Sequence, residues 1–204
     1  MKNMKVDQVI LITVTFNSSH FLERLVKAAA KQTYPLKKII CVDNASNEEH
    51  MKAIDQLKKA YPILEVVRSE ENLGGGGGFQ KGAEYVLKNE LECDWIWIMD
   101  DDAFPRENCL EKLLEHKNIT GMGSLVPFIY GVELQEYQYI HHKKLSKYLD
   151  TDISIGTKLE DFDDITEVET NAFVGPLVKV SVVKDVGVPN GGLFIYGDDT
   201  EYMY

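Results

Sequence analysis

Three consecutive carboxylates, Asp100, Asp101 and Asp102, follow directly on the apolar run Trp95-Ile96-Trp97-Ile98-Met99. Such a short aromatic and β-branched run reads as a buried strand, so the acids emerge at its carboxyl end, where open α/β sheets bind ligands. Side chains alternate along extended chain, which lets Asp100 and Asp102 face one way together. Clustered carboxylates raise one another's pKa values unless a cation relieves them, and hard oxygen ligands suit Mg2+ or Mn2+. An acidic triplet alone is usually a solvated loop. The strand before it and a glycine run upstream favour a metal site.

That run, Asn72-Leu73 followed by Gly74 to Gly78 and Phe79, joins a strand to a helix. Five glycines remove every Cβ where a backbone must approach something closely, and helix N-terminal amides behind them favour anions. The spacing matches neither a dinucleotide fingerprint nor a P-loop, and a flexible turn remains the plain alternative. Thr15-Phe16-Asn17 and Asp43-Asn44-Ala45-Ser46 end the first two strands. Their polar side chains project from the same sheet edge and can hold a base and ribose, although Asp and Asn there also serve as turn formers and caps.

The elements that must position these residues follow an α/β rhythm. Val9 to Phe16 is a continuous apolar, β-branched run typical of a buried parallel strand, and Ser18 opens a helix with Phe21, Leu22, Leu25, Val26 and Ala29 on its inward face. Ile39 to Val42, a helix capped by Asn47, Ile63 to Val67, a helix carrying Phe79, Ala83 and Val86, and the Trp95 strand come next. Right-handed crossovers turn this order into a twisted, mainly parallel sheet with helices on both faces. From 133 to 169 the chain is charged and Tyr-rich, which reads as a long, solvated flap. Phe173 to Val180 restores order, followed by a helix opened by Ser181 and a strand-like Leu193 to Tyr196 that runs into Asp198 and Asp199.

At 204 residues and 44% hydrophobic content the chain supports one good-sized core. A net charge of −11 with scattered Lys and Arg argues against a nucleic-acid partner. Cys41, Cys93 and Cys109 have no paired spacing and read as reduced thiols, consistent with a cytoplasmic protein. No apolar stretch approaches the roughly 20 residues of a membrane span.

Together the motifs resemble glycosyltransferase family 2, inverting enzymes of the GT-A (Rossmann-like) fold that use nucleotide-sugar donors. Thr-Phe-Asn, Val-Asp-Asn-Ala-Ser, Asn-Leu-Gly-Gly-x-Gly-Gly-Phe, Met-Asp-Asp-Asp and Phe-Ile-Tyr-Gly-Asp-Asp-Thr-Glu-Tyr stand in the family's order, over nearly the whole chain. The glycine run and Asp triplet look most like galactofuranosyltransferases, whereas rhamnosyltransferase-like members have a less glycine-dense loop. The resemblance implies Asp100 and Asp102 as metal carboxylates for Mn2+ or Mg2+, and Asp101 beside the donor sugar. It implies Thr15, Asn17, Asp43, Asn44, Asn72, Gly75, Gly76 and Gly77 as donor-binding, Asp199 as general base with Asp198 beside it, and Phe173 as an aromatic facing the acceptor. It also divides the chain into a nucleotide-sugar half, 1–120, and the start of an acceptor half, 121–204, that is truncated relative to the family.

The partners implied are a nucleotide-sugar donor, with UDP-galactofuranose as one candidate, and a glycan or lipid-linked glycan acceptor. Membrane association is expected only through the acceptor or a further C-terminal region, at the inner face of the membrane. A sugar nucleotidyltransferase is disfavoured because no Gly-rich, basic loop follows Phe16. A non-catalytic nucleotide-binding domain stays open.

Overall fold

The computed structural model describes residues 6–89, 91–119, 121–131, 136–138, 141–145, 152–195 and 197–203. Strands and helices alternate at first: β1 (Val9–Thr15), α1 (Ser19–Ala30), β2 (Lys38–Asp43), α2 (Glu48–Ala60), β3 (Leu64–Arg68), α3 (Gly74–Lys88), β4 (Trp95–Met99) and α4 (Cys109–Glu115). The short strands β5 (Ser124–Leu125), β6 (Tyr130–Gly131), β7 (Glu136–Tyr137), β8 (His142–Leu145), β9 (Asp152–Ser154) and β10 (Thr170–Asn171) follow. The described chain closes with β11 (Val174–Lys179), α5 (Val180–Val186) and α6 (Asp198–Met203).

The main sheet has the order β3-β2-β1-β4-β11-β5. β1 to β4 run parallel, whereas β11 lies antiparallel between β4 and β5. The chain therefore leaves β1 toward β2 and β3 and returns to β4 on the other side. That reversal opens a crevice at the carboxyl ends of β1 and β4, the place where ligands enter sheets of this kind.

Alternation along each buried strand divides the core between two faces. Val9, Leu11, Trp97 and Met99 pack with α1, α2 and α4 on one face. Ile10, Ile12, Ile96 and Ile98 pack with α3 and α5 on the other. Helix α3 comes unusually near the sheet, for a Cβ on Gly78 would stand 2.5 Å from Val14 Cγ1 and one on Gly82 2.5 Å from Ile12 Cγ2.

Several sequence expectations change here. Helix α3 begins at Gly74, so the glycines form its first turns instead of a loop before it. Helix α5 starts at Val180, one residue before Ser181. Residues 191–195 form turns and bends instead of a strand, and Tyr196 lies outside the described residues. The expected flap is not wholly solvated. Phe162 lies edge-on to Phe128 and Tyr137 at ring separations of 5.2 and 5.3 Å. His142, 3% exposed, joins this cluster. A carbonyl can only accept, so His142 Nε2–H donates to Pro127 O at 2.9 Å and Nδ1 accepts from the Tyr137 hydroxyl at 2.8 Å. Phe128, His142 and Phe162 border a largely apolar cavity of about 120 Å³ beside β5.

Candidate functional site

The ends of β1 and β2 are tied into one polar platform. Asn44 N–H donates to Thr15 O at 2.9 Å, and Asn17 N–H donates to Ser46 Oγ at 2.9 Å. Asn17 Oδ1 accepts from Asn47 N–H at 2.8 Å, and Ser46 N–H donates to Asp43 Oδ1 at 3.1 Å. Asn17 (φ 53°) and Ala45 (φ 62°) are the two described non-glycine residues at positive φ. Left-handed backbone costs free energy for a side chain with a Cβ, and two such residues at adjoining strand ends mark a platform held by its surroundings.

Asp43 is 1% exposed, and its Oδ2 faces Arg68 Nη1 at 3.4 Å without a hydrogen bond of good geometry. Arg68, the last residue of β3, was not among the site residues expected from the sequence. Asn44 donates from Nδ2 to Gly74 O at 2.8 Å, while its Oδ1 is buried and unpartnered. Asn72 Oδ1 accepts from Gly74 N–H at 2.9 Å, which makes its side chain a brace for the start of α3.

The carboxylate triplet leaves β4 at this edge. Asp100 N–H donates to Phe173 O at 3.0 Å, and the chain turns at once as Ala103 N–H donates to Asp100 O at 3.2 Å. Burial first, then repulsion from Asp102, Asp101, Asp199 and Asp198, push Asp100 up to about 8. Asp102 acts on it more than Asp101 does, and because residues 101–102 form a turn, this proximity does not come from the strand alternation expected from the sequence. Burial likewise lifts Asp101 to about 6 against an opposing pull from the Thr15 hydroxyl. Thr15 Oγ1 and Asp101 Oδ2 lie near each other, yet neither has a well-formed hydrogen bond.

The acid pair far along the chain thus reaches the triplet. Asp198, 7% exposed, packs over the glycine turn of α3, and its carboxyl is raised by burial first and by Asp199 second. Asp199 is less buried, and its Oδ1 accepts from Thr200 N–H at 2.6 Å. His141, on the flap beside this pair, is lowered by burial, with Asp199 pulling the other way. Five carboxyl groups, three just after β4 and two at the start of α6, therefore share one region.

Among the described residues, no group of three His, Cys, Asp or Glu side chains could hold a metal ion unaided. The set still fits a hard divalent cation. The carboxylates repel one another, Asp101 keeps a buried free oxygen, and Mg2+ or Mn2+ is commonly held by one or two carboxylates together with ligand phosphates.

Four expected site residues, Phe173, Gly75, Gly76 and Gly77, have the protein itself as their neighbour. Phe173 is 3% exposed, with its ring 4.7 Å from that of Phe79 and 6.0 Å from that of Tyr202, so it is a core aromatic and presents no open face to an acceptor. At Gly76, the space a Cβ would take is occupied by Leu193 O at 2.2 Å, and at Gly75 the neighbour is Asp198 Oδ2 at 3.4 Å. A Cβ on Gly77 would meet Leu73 Cβ at 2.7 Å. What approaches these glycines is the protein itself.

A mainly parallel sheet with a reversal at β1 and β4, and acids at that crevice, defines an α/β domain whose candidate site lies at the strand ends. Residues 10–187 match the family model described as glycosyl transferase family 2, and the chain belongs to that family. It is 27% identical over 201 residues to the galactofuranosyltransferase GlfT1 of Mycolicibacterium smegmatis, covering 95% of this chain and 63% of that protein. The chain thus spans a little under two thirds of the length of that relative. The fold is GT-A. Among solved structures, a mannosyltransferase from Pyrobaculum calidifontis in complex with GDP-Man and Mn2+ superposes with a TM-score of 0.68 at 15% identity, covering 98% of this chain and 51% of that one. S. aureus TarS 1-349 in complex with UDP gives 0.66 at 16% identity, covering 96% of this chain and 54% of that one. Among the described residues, no helix is long and apolar enough to cross a membrane.

Proposed function

We propose that this protein is a divalent-metal-dependent, inverting glycosyltransferase that takes a sugar from a nucleotide donor, with UDP-galactofuranose as the candidate donor in line with the relative named a galactofuranosyltransferase. The observation that supports this most is the meeting of the β4 acids with Asp198 and Asp199 at the crevice where Asp43 and Asn44 also end. In this reading residues 1–120 bind the donor and residues 121–204 begin the acceptor half.

Asp43, ion-paired with Arg68 behind it, and Asn44, whose buried Oδ1 has no hydrogen-bond partner among the described residues, hold the nucleoside. Asp100 and Asp102 would hold Mn2+ or Mg2+, and the ion when bound would offset negative charge on a diphosphate leaving group. Asp199, more accessible than Asp198, accepts the proton of an acceptor hydroxyl. The acceptor oxygen then bonds to the anomeric carbon while the carbon–oxygen bond to the diphosphate breaks, and the electron pair leaves with the nucleotide. Attack from the face opposite the leaving group inverts the anomeric centre. The buried Asp198 orients its neighbour, and the acceptor is a glycan of the cell surface.

Incubation with UDP-galactofuranose, Mn2+ and candidate glycans separates the readings. Release of UDP with a new glycosidic product supports the transferase, pyrophosphate release indicates a nucleotidyltransferase, and tight UDP binding without either product indicates a binding domain.

A further inference from the structure

The chain segment that delivers the acid pair rests on α3 through its backbone. A Cβ on Gly74 would stand 2.0 Å from Phe194 O, and Gly74 has φ +71°, so this position excludes a side chain twice over. A Cβ on Gly76 would stand 2.2 Å from Leu193 O, 3.1 Å from Asn190 O and 3.2 Å from Asp198 Cβ. The side chains of this segment contribute little to the attachment, for Phe194 and Ile195 are 52% and 59% exposed. One side chain of α3 completes it: Gln80 Oε1 accepts from Gly191 N–H at 2.9 Å. The segment is itself a turn, with Leu193 N–H donating to Asn190 O at 3.2 Å and Gly192 N–H to Asn190 Oδ1 at 3.0 Å. At its other side the same helix terminus is bound to β2 through Asn44 Nδ2 and Gly74 O.

The geometry points to α3 as a seat for the acid pair: Gly74 and Gly76 admit the 190–195 backbone, and Gln80 is a positioning residue that sets where Asp198 and Asp199 stand over the carboxylates of β4. The glycines serve protein-to-protein contact first, and their effect on chemistry passes through the acid pair. This rests on the transferase reading given above. A base displaced by about 1 Å can cost about 10²-fold in rate while leaving ligand affinity unchanged. The seat therefore acts on turnover more than on donor binding.

The test uses Gln80→Met, which keeps length and loses the acceptor atom, and Gln80→Glu, which retains an oxygen for Gly191 N–H. Gln80 is a partly exposed helix residue, so both variants are expected to fold. In Gln80→Met, amide hydrogen exchange across 190–195 rises, UDP affinity with Mn2+ stays within about twofold, and kcat falls about ten- to a hundredfold with little change in donor KM. Gln80→Glu restores protection of 190–195 and part of kcat. Unchanged exchange in Gln80→Met overturns the seat, as does wild-type kcat in that variant when exchange has risen. Equal losses in Gln80→Met and Gln80→Glu overturn the role given to the acceptor atom. If the wild-type protein turns over no donor, the transferase reading falls, and the exchange comparison still decides whether the seat exists.

Discussion

Binding of a divalent cation at the β4 acids should expel a proton, and the size of that effect follows from the carboxylate cluster. Asp100 is pushed from 3.8 up to about 8, and Asp101 to about 6. At pH 7 Asp100 is then protonated in about ten of eleven molecules, and Asp101 in about one of eleven. A cation needs the carboxylate, so it releases about 0.9 proton from Asp100 at pH 7. Its apparent affinity rises about 50-fold between pH 6 and pH 8 and flattens above. The metal-free protein shows the converse. Between about pH 4 and 8 the folded state keeps a proton that the unfolded state has lost, so this group makes stability fall as pH rises, by at most about 1.4 kcal/mol per unit. Titration of Mn2+ calorimetrically in buffers of different ionisation heat counts the protons, and Asp100→Asn should bind weakly and without pH dependence. A wild-type affinity that is flat from pH 6 to 8, with no proton released, would refute the assignment of Asp100 as a ligand in this environment.

Asp199→Asn should keep UDP and Mn2+ affinity while lowering single-turnover transfer by about 10²–10⁴, and transfer at the wild-type rate would exclude Asp199 as the base. Alanine at Gly75 meets only Asp198 Oδ2, at an ordinary 3.4 Å, whereas alanine at Gly76 meets Leu193 O at 2.2 Å. Chemical denaturation should therefore find Gly75→Ala neutral or up to about 1 kcal/mol more stable, and Gly76→Ala less stable by about 1–3 kcal/mol. Phe173→Ala should cost about 3–5 kcal/mol by the same measurement, and a loss below about 1 kcal/mol would return Phe173 to the surface.

The alternating first half of the fold was legible because β1, β2 and β4 each carry a continuous apolar or β-branched run and the helices between them carry one-sided apolar faces. Asn47 shows how local the signal can be: its side chain accepts from Glu49 N–H and His50 N–H, as a cap read from the sequence should. The glycine run misled because propensity places glycine in loops, whereas here tertiary contact with Leu193 and Phe194 overrides propensity and keeps it helical. Phe173 by its type alone reads more readily as a core aromatic, as it stands here, and its acceptor role came only from the family resemblance. Arg68 and Gln80 were invisible for another reason: each acts through a partner distant in sequence, Asp43 and Gly191, and no local pattern encodes such a pair. The flap escaped reading because its aromatics, Phe128, Tyr137 and Phe162, are spaced without strand or helix period and meet only in the folded chain.

The central claim is that the acids after β4 bind a nucleotide diphosphate through a divalent cation, and calorimetric titration of UDP into the wild-type protein and into Asp102→Asn tests it most directly. The account predicts measurable UDP affinity in Mn2+ that is lost on adding chelator and is largely absent from Asp102→Asn in either condition. Equal UDP affinity with and without Mn2+, or full Mn2+-dependent affinity in Asp102→Asn, would contradict it.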